Sequence, residues 1–463
     1  LAHERRKRLL EEPVGATLVR LALPMAVGVF AILFFNLVDT FWVGQLGAPE
    51  LAAMGFTFPV AMVVTNLTIG LSVGATAVIA QAIGEGHEER VKRLTTDSLV
   101  LALIVVAVLI VVGLLTLDPL FRALGADAPT LALIREYMVP WYCGVGFLVI
   151  PMVGNGAIRA GGDTISPAVV MLVVGLVNAV LDPLLIFGLG PFPELRLQGA
   201  ALATVASYVL SASVCLGILG LRERMLTFTS PALAEVLRSW RGMLRVGLPA
   251  AGTNLLTPLA GAVVTRLVAG FGNQAVAAYG VGTRLEGLSM VGIFAMTGAI
   301  TPFVGQNLGA GKLDRIWQCL RFSVRASLLW GFAIAAFLSL LAEPLARVFN
   351  ADEAVVGHTV AYLRIVPLSY FALSIALLVA SMFNAMSAPL RATFIAFVRL
   401  VVLAIPLAWV GARLFGLEGL FAGIAAANVA VAGVALALAG TRMRQLLGRR
   451  SVPGTAAVAA PAE

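Results

Sequence analysis

Apolar stretches of about twenty residues recur from Leu18 to Leu438, separated only by short polar breaks. A helix rises about 1.5 Å per residue and needs roughly 20 apolar residues to cross the hydrocarbon of a bilayer, so each stretch is long enough to span it. Of 463 residues, 60% are hydrophobic and only 12% charged, about half the charge of an average soluble chain. The chain is therefore predicted to be an all-α polytopic membrane protein. A net charge of +8 would suggest nucleic acid in a soluble protein. Here the Lys and Arg residues sit in short segments between apolar runs, where they set membrane orientation, and no nucleic-acid partner is expected.

Twelve spans are predicted, at 16–43, 52–83, 96–117, 131–155, 166–189, 199–221, 243–270, 276–305, 319–340, 358–383, 390–412 and 418–440. The first is too long for the apolar core of a signal peptide and is expected to remain as a span. An even number puts both termini on one side. The termini and even-numbered loops carry most of the 32 Lys and Arg, whereas the opposite loops carry Arg122, Arg196, Arg347 and Arg413. By the positive-inside rule both termini are cytoplasmic and the location is the cell (inner) membrane.

Adding 225 to a residue number maps Pro24 onto Pro249, Gly47 onto Gly272, Gly55 onto Gly280, Gln81 onto Gln306, Gly84 onto Gly309 and Gly86 onto Gly311. Each half holds six spans, so the second begins on the same side as the first. The expected architecture is two six-helix lobes related by a pseudo-two-fold axis along the membrane normal, a symmetry suited to alternating access. The predicted organisation is a cytoplasmic N-terminal segment (1–15), an N-lobe (16–221), an amphipathic linker (222–242), a C-lobe (243–442) and a disordered tail (443–463). In and beside the linker, Leu233, Val236, Leu237, Trp240 and Leu244 fall at helical spacing, as in a helix lying on the inner membrane surface.

Ionisable groups inside spans cost roughly 2.5–3.5 kcal/mol on insertion scales, so each asks for a function or a partner. The clearest acidic cases are Asp39, Asp182 and Glu286. Pro24, fifteen positions before Asp39 on the same span, removes one backbone hydrogen bond and is a candidate hinge. Asn178 and Asp182 are four apart and share a helix face. A neutral and a charged oxygen at that spacing suit a sodium ion or a proton, so the sodium candidates are Asp39, Asn178 and Asp182. The plainer alternative is that Asp182-Pro183 ends a helix and Asp39 caps or pairs. Arg284 and Glu286 are two apart, cannot face each other, and are each expected to pair with another helix in a structural or substrate-contacting role. Arg399 receives the same reading.

No cofactor is expected. Gly305-Gln306-Asn307-Leu308-Gly309-Ala310-Gly311-Lys312-Leu313 misses the phosphate-binding loop, because its first Gly is one residue early and no Ser or Thr follows Lys312. HExxH is absent from the sequence. Cys143, Cys215 and Cys319 are isolated and read as packing residues.

The runs Asn36-Leu37-Val38-Asp39, Val43-Gly44-Gln45-Leu46-Gly47, Arg159-Ala160-Gly161-Gly162-Asp163-Thr164, Asn178-Ala179-Val180-Leu181-Asp182-Pro183 and Val304-Gly305-Gln306-Asn307-Leu308-Gly309 resemble the multidrug and toxic compound extrusion (MATE) transporters nearly end to end. The resemblance implies a non-enzymatic antiporter, monomeric in lipid, that exchanges a proton or sodium ion for outward movement of small organic compounds, mostly cationic or amphipathic. Carried over by motif, the cation-coupling set is Asp39, Asn155, Asn178, Asp182 and Thr204, with Pro24 at the bend of the first helix. The NorM-like branch also has acidic residues in spans seven and ten. The corresponding stretches here, Gly252–Thr257 and Ser369–Ser374, contain none, which makes the chain more similar to the DinF-like branch. A lipid-linked oligosaccharide flippase of the same superfamily is the alternative, and a membrane-embedded enzyme the reading outside that class.

Overall fold

The computed structural model describes residues 2–229 and 231–450, and every regular element among them is a helix. The first half comprises α1 (Ala2–Glu11), α2 (Val14–Gly44), α3 (Ala48–Glu85), α4 (Glu88–Ala123), α5 (Ala128–Ala160), α6 (Ile165–Ile186) and α7 (Arg196–Gly217). The second comprises α8 (Leu233–Ala269), α9 (Asn273–Ser289), α10 (Val291–Gly309), α11 (Leu313–Leu340), α12 (Ala342–Phe349), α13 (Glu353–Ile365), α14 (Tyr370–Ala385), α15 (Pro389–Phe397) and α16 (Ile405–Arg450).

Nine described helices or continuous helical runs are long and apolar enough to span, or ten when α9 and α10, broken at Met290, count as one span. The other two expected spans are present in altered form. The seventh lies in α8, where Thr253, Asn254, Thr257 and two prolines dilute the apolar run. The eleventh and twelfth merge into one helical run from Pro389, because the chain turns between them with only Phe415 and Gly416 leaving helical geometry. Two boundaries differ from expectation. The amphipathic segment from Leu233 is continuous with α8 rather than a separate surface helix. Residues 443–450, expected in the tail, extend α16, and the rest of the tail lies outside the described residues.

The repeat has a conformational cause at its turns. Gly47 and its equivalent Gly272 have φ of 139° and 102°, and Gly86 and Gly311 have φ of 85° and 69°. Those values favour glycine, which both halves keep at the ends of corresponding helices.

The chain forms two compact units. The first contains residues up to Leu255 together with Phe294–Ala310 and Asn384–Pro389. In it α5 packs on α3, α4 and α7, and α6 on α2 and α7, around Ile134, Met138, Val149, Val153 and Ile158. At one end Arg5 bridges Asp163 at 3.0 Å and Glu223 at 2.7 Å, and Arg222 reaches Asp163 at 3.0 Å. Arg6 donates to the Gly84 carbonyl at 3.1 Å. We call this the Arg-rich end. The second unit, which includes Leu256–Ile293 and Gly311–Phe383, packs α13 on α9 and α16 around Tyr362, Tyr370, Phe383 and Phe421.

Candidate cation site in the first unit

Asp182 is fully buried on α6. Its Oδ1 accepts a hydrogen bond from Asn178 Nδ2 at 3.2 Å, the one-turn pairing anticipated from the spacing. Its Oδ2 is buried and has no hydrogen-bond partner among the described residues. The same is true of Asp39 Oδ1 on α2 and Asn155 Oδ1 on α5. The Asp39 and Asp182 charges interact across the α2–α6 packing. A buried acceptor left alone costs about 1–3 kcal/mol, and more when it carries charge. In the same unit Asp97 Oδ2, Gln306 Oε1 and Asn384 Oδ1 are also buried without a hydrogen-bond partner, but Asp97 is paired with Arg93 through its other oxygen, whereas Asp39 and Asp182 are two interacting carboxylates, which suit a cation or proton as their missing partner. The donors are carboxylate and amide oxygens, which are hard ligands.

Thr204 stands apart from this pattern. Its hydroxyl donates to the Ala200 carbonyl of its own helix at 3.0 Å. Pro24 lies inside α2, which stays helical through it, so its ring and missing N–H act within a continuous rod. Sequence reasoning missed Tyr137, Tyr208 and Trp141. Asp39 interacts electrostatically with both tyrosines and Asp182 with Tyr137, and Trp141 acts on Tyr208. The available signal was their polar-tipped rings inside apolar spans, in a chain with six Tyr and six Trp.

In the second unit Glu286 Oε2 accepts from Tyr362 Oη at 2.9 Å and from Tyr370 Oη at 3.3 Å. The Arg399 charge acts on the same carboxylate. The local helices are irregular: a 3₁₀ turn at Val366–Ser369 separates the two tyrosines, and a π-helical stretch at Val398–Ala404 carries Arg399. Glu286 thus pairs with other helices as expected. Arg284 does not: it is exposed and makes no hydrogen bond or ion pair with a described residue.

The comparisons follow the same repeat. The MatE family matches residues 24–184 and again 249–410, starting at Pro24 and at its repeat equivalent Pro249. A protein of Shewanella oneidensis named FAD transporter is 38% identical over 92% of this chain and 94% of its own length. A probable multidrug resistance protein NorM of Thermotoga maritima is 28% identical, covering 88% of each chain. The MATE transporter VcmN of Vibrio cholerae, solved in a bent form, superposes with a TM-score of 0.89 at 31% identity over 94% of this chain and 98% of that one. With the family matched in both halves and the fold shared over nearly the whole length, this chain belongs to the MatE family of multidrug and toxic compound extrusion transporters and is a multi-pass membrane transporter, not an enzyme.

Proposed function

We propose that the protein is a secondary active exporter of the inner membrane, with both termini cytoplasmic, acting as a monomer that exchanges a proton or sodium ion for small organic compounds. The observation that carries this reading is the trio of buried, unpartnered oxygens, Asp39 Oδ1, Asp182 Oδ2 and Asn155 Oδ1. A cation taken up from outside is bound by these oxygens with Asn178 beside them, and it offsets the mutual repulsion of the two carboxylates. With that repulsion removed, α2 bends near Pro24, which lacks one restraining hydrogen bond, and substrate is expelled. Because ion and substrate favour different conformations, each lowers the affinity for the other. Thr204 adds a hydroxyl lone pair at most, since its proton is committed to Ala200. Glu286 and Arg284 of the second unit have a structural or a substrate-contacting role.

The test is export of a fluorescent cationic dye from reconstituted vesicles under a proton or a sodium gradient imposed separately, for wild type and Asp39→Asn. Transport driven by one gradient and lost in the variant identifies the coupling ion. Normal export by Asp39→Asn would refute the mechanism.

A second substrate reading, a flavin dinucleotide, is favoured by the 38% identical relative named FAD transporter. The exposed and unpaired Arg284 suits a phosphate-bearing substrate. Uptake of FAD, read by its own fluorescence in the same vesicles, decides between the two substrate classes.

A further inference from the structure

Two glutamines related by the 225-residue repeat make two related hydrogen bonds at the Arg-rich end of the first unit. Gln81 Nε2, on α3, donates to the carbonyl of Ala385 at 2.6 Å, and Gln306 Nε2, on α10, donates to the carbonyl of Ala160 at 2.6 Å. Donors and acceptors obey one register, since 81 maps onto 306 and 160 onto 385. Ala160 and Ala385 are the last residues of α5 and α14. Their carbonyls have no further helical turn to bond and lie at the negative end of the helix dipole, which suits an amide donor.

The backbones cross in the same symmetric way. A Cβ on Gly84 would overlap the Gln306 carbonyl, and a Cβ on its equivalent Gly309 would overlap that of Gln81. A third pair shares the register. Gly162 has φ 84° and its equivalent Ser387 has φ 52°, a left-handed conformation that costs a non-glycine residue about 1 kcal/mol or more. The Ser387 hydroxyl accepts a second bond from Gln81 Nε2 at 2.9 Å, which gives the strained serine a use glycine could not supply.

We propose that Gln81 and Gln306 form a two-fold symmetric latch that closes the Arg-rich end of the transporter and must release in each cycle. Each glutamine ties the α3–α10 crossing to the end of a helix from the opposite repeat. Both bonds are single amide-to-carbonyl contacts, strong enough to bias a conformation and weak enough to break on a transport timescale. The proposal rests on alternating access in one respect only, that this end opens at all.

Hydrogen exchange read by mass spectrometry on the full-length protein in lipid nanodiscs tests it without substrate or coupling ion. Gln81→Leu and Gln306→Leu should each raise exchange in both 80–88 and 305–313 by roughly three- to tenfold, whichever glutamine is changed. Ser387→Gly, which relieves strain and removes one acceptor, keeps the fold and should raise exchange about twofold in both segments. Gln81→Glu should behave like Gln81→Leu at pH 8, where its ionised carboxylate can only accept hydrogen bonds. Exchange that rises only in the altered helix would overturn the latch. Dye transport that fails while the exchange pattern holds would count against the proposed function and leave the latch standing.

Discussion

Asp39 on α2 and Asp182 on α6 interact across two packed helices, each with one buried carboxylate oxygen that no described residue satisfies. Neither residue makes an ion pair with Arg or Lys among the described residues. Among the described residues the pairing that would make them structural is absent, which supports the proposed cation site.

Asp39→Asn should leave a folded protein that no longer couples export to an ion gradient. The side chain keeps its volume and loses the charge that a cation would neutralise. Gradient-driven dye export in vesicles, compared with thermal unfolding of the same preparation, reads the two effects separately.

Asp182→Asn should unfold at a higher temperature than wild type in ion-free buffer while losing coupled transport. Holding a bare charge in a span costs a few kcal/mol, and the neutral amide removes that cost while keeping Asn178 within bonding distance. A lower unfolding temperature would mean that Asp182 has a structural partner after all.

Gly84→Ala and Gly309→Ala should destabilise the protein by similar amounts, about 1–3 kcal/mol each, because each new methyl meets the carbonyl of the repeat-related glutamine on the crossing helix. Chemical or thermal unfolding in detergent measures this. Gly55→Ala is the control, since its Cβ would meet nothing within 4 Å.

Tyr362→Phe should weaken the second unit by about 0.5–1.5 kcal/mol, the net worth of a typical protein hydrogen bond, since it leaves Glu286 with Tyr370 as its remaining hydroxyl donor. If Glu286 also contacts substrate, the same change should raise the substrate concentration needed for half-maximal export without altering the coupling ion.

Acid should loosen α1. Asp163 lies in the loop between α5 and α6, outside the spans. Desolvation alone would raise its pKa, but hydrogen bonds from the Ser166 backbone and side chain and the charges of Arg5 and Arg222 outweigh it and hold the carboxyl below its usual value. A carboxyl depressed on folding stabilises the folded form above its unfolded pKa of about 3.9 and loses that contribution as pH falls through the lower folded value. Protection of residues 4–11 against hydrogen exchange should therefore hold at pH 5 to 8 and fall below about pH 4. Asp163→Asn should show the loss at every pH.

Much of this protein was legible from the chain alone, because a bilayer makes local demands. Every buried backbone group in hydrocarbon must be satisfied within its own helix, so spans announce themselves as apolar runs, and the 225-residue register follows from glycines such as Gly47, Gly86, Gly272 and Gly311 that no other residue replaces without strain. The Asn178–Asp182 bond was legible for the same reason, being one helical turn within a single helix. The tertiary structure decided what depends on contacts between distant segments. It decided that Asp39 and Asn155 leave oxygens unpartnered as Asp182 does, that Thr204 is committed to its own backbone, that Glu286 finds two tyrosines while Arg284 finds no partner, and that Gln81 and Gln306 cap helices of the opposite repeat. Periodicity fixes which face of a helix a residue occupies, but only the packing of one helix on another fixes what that face meets.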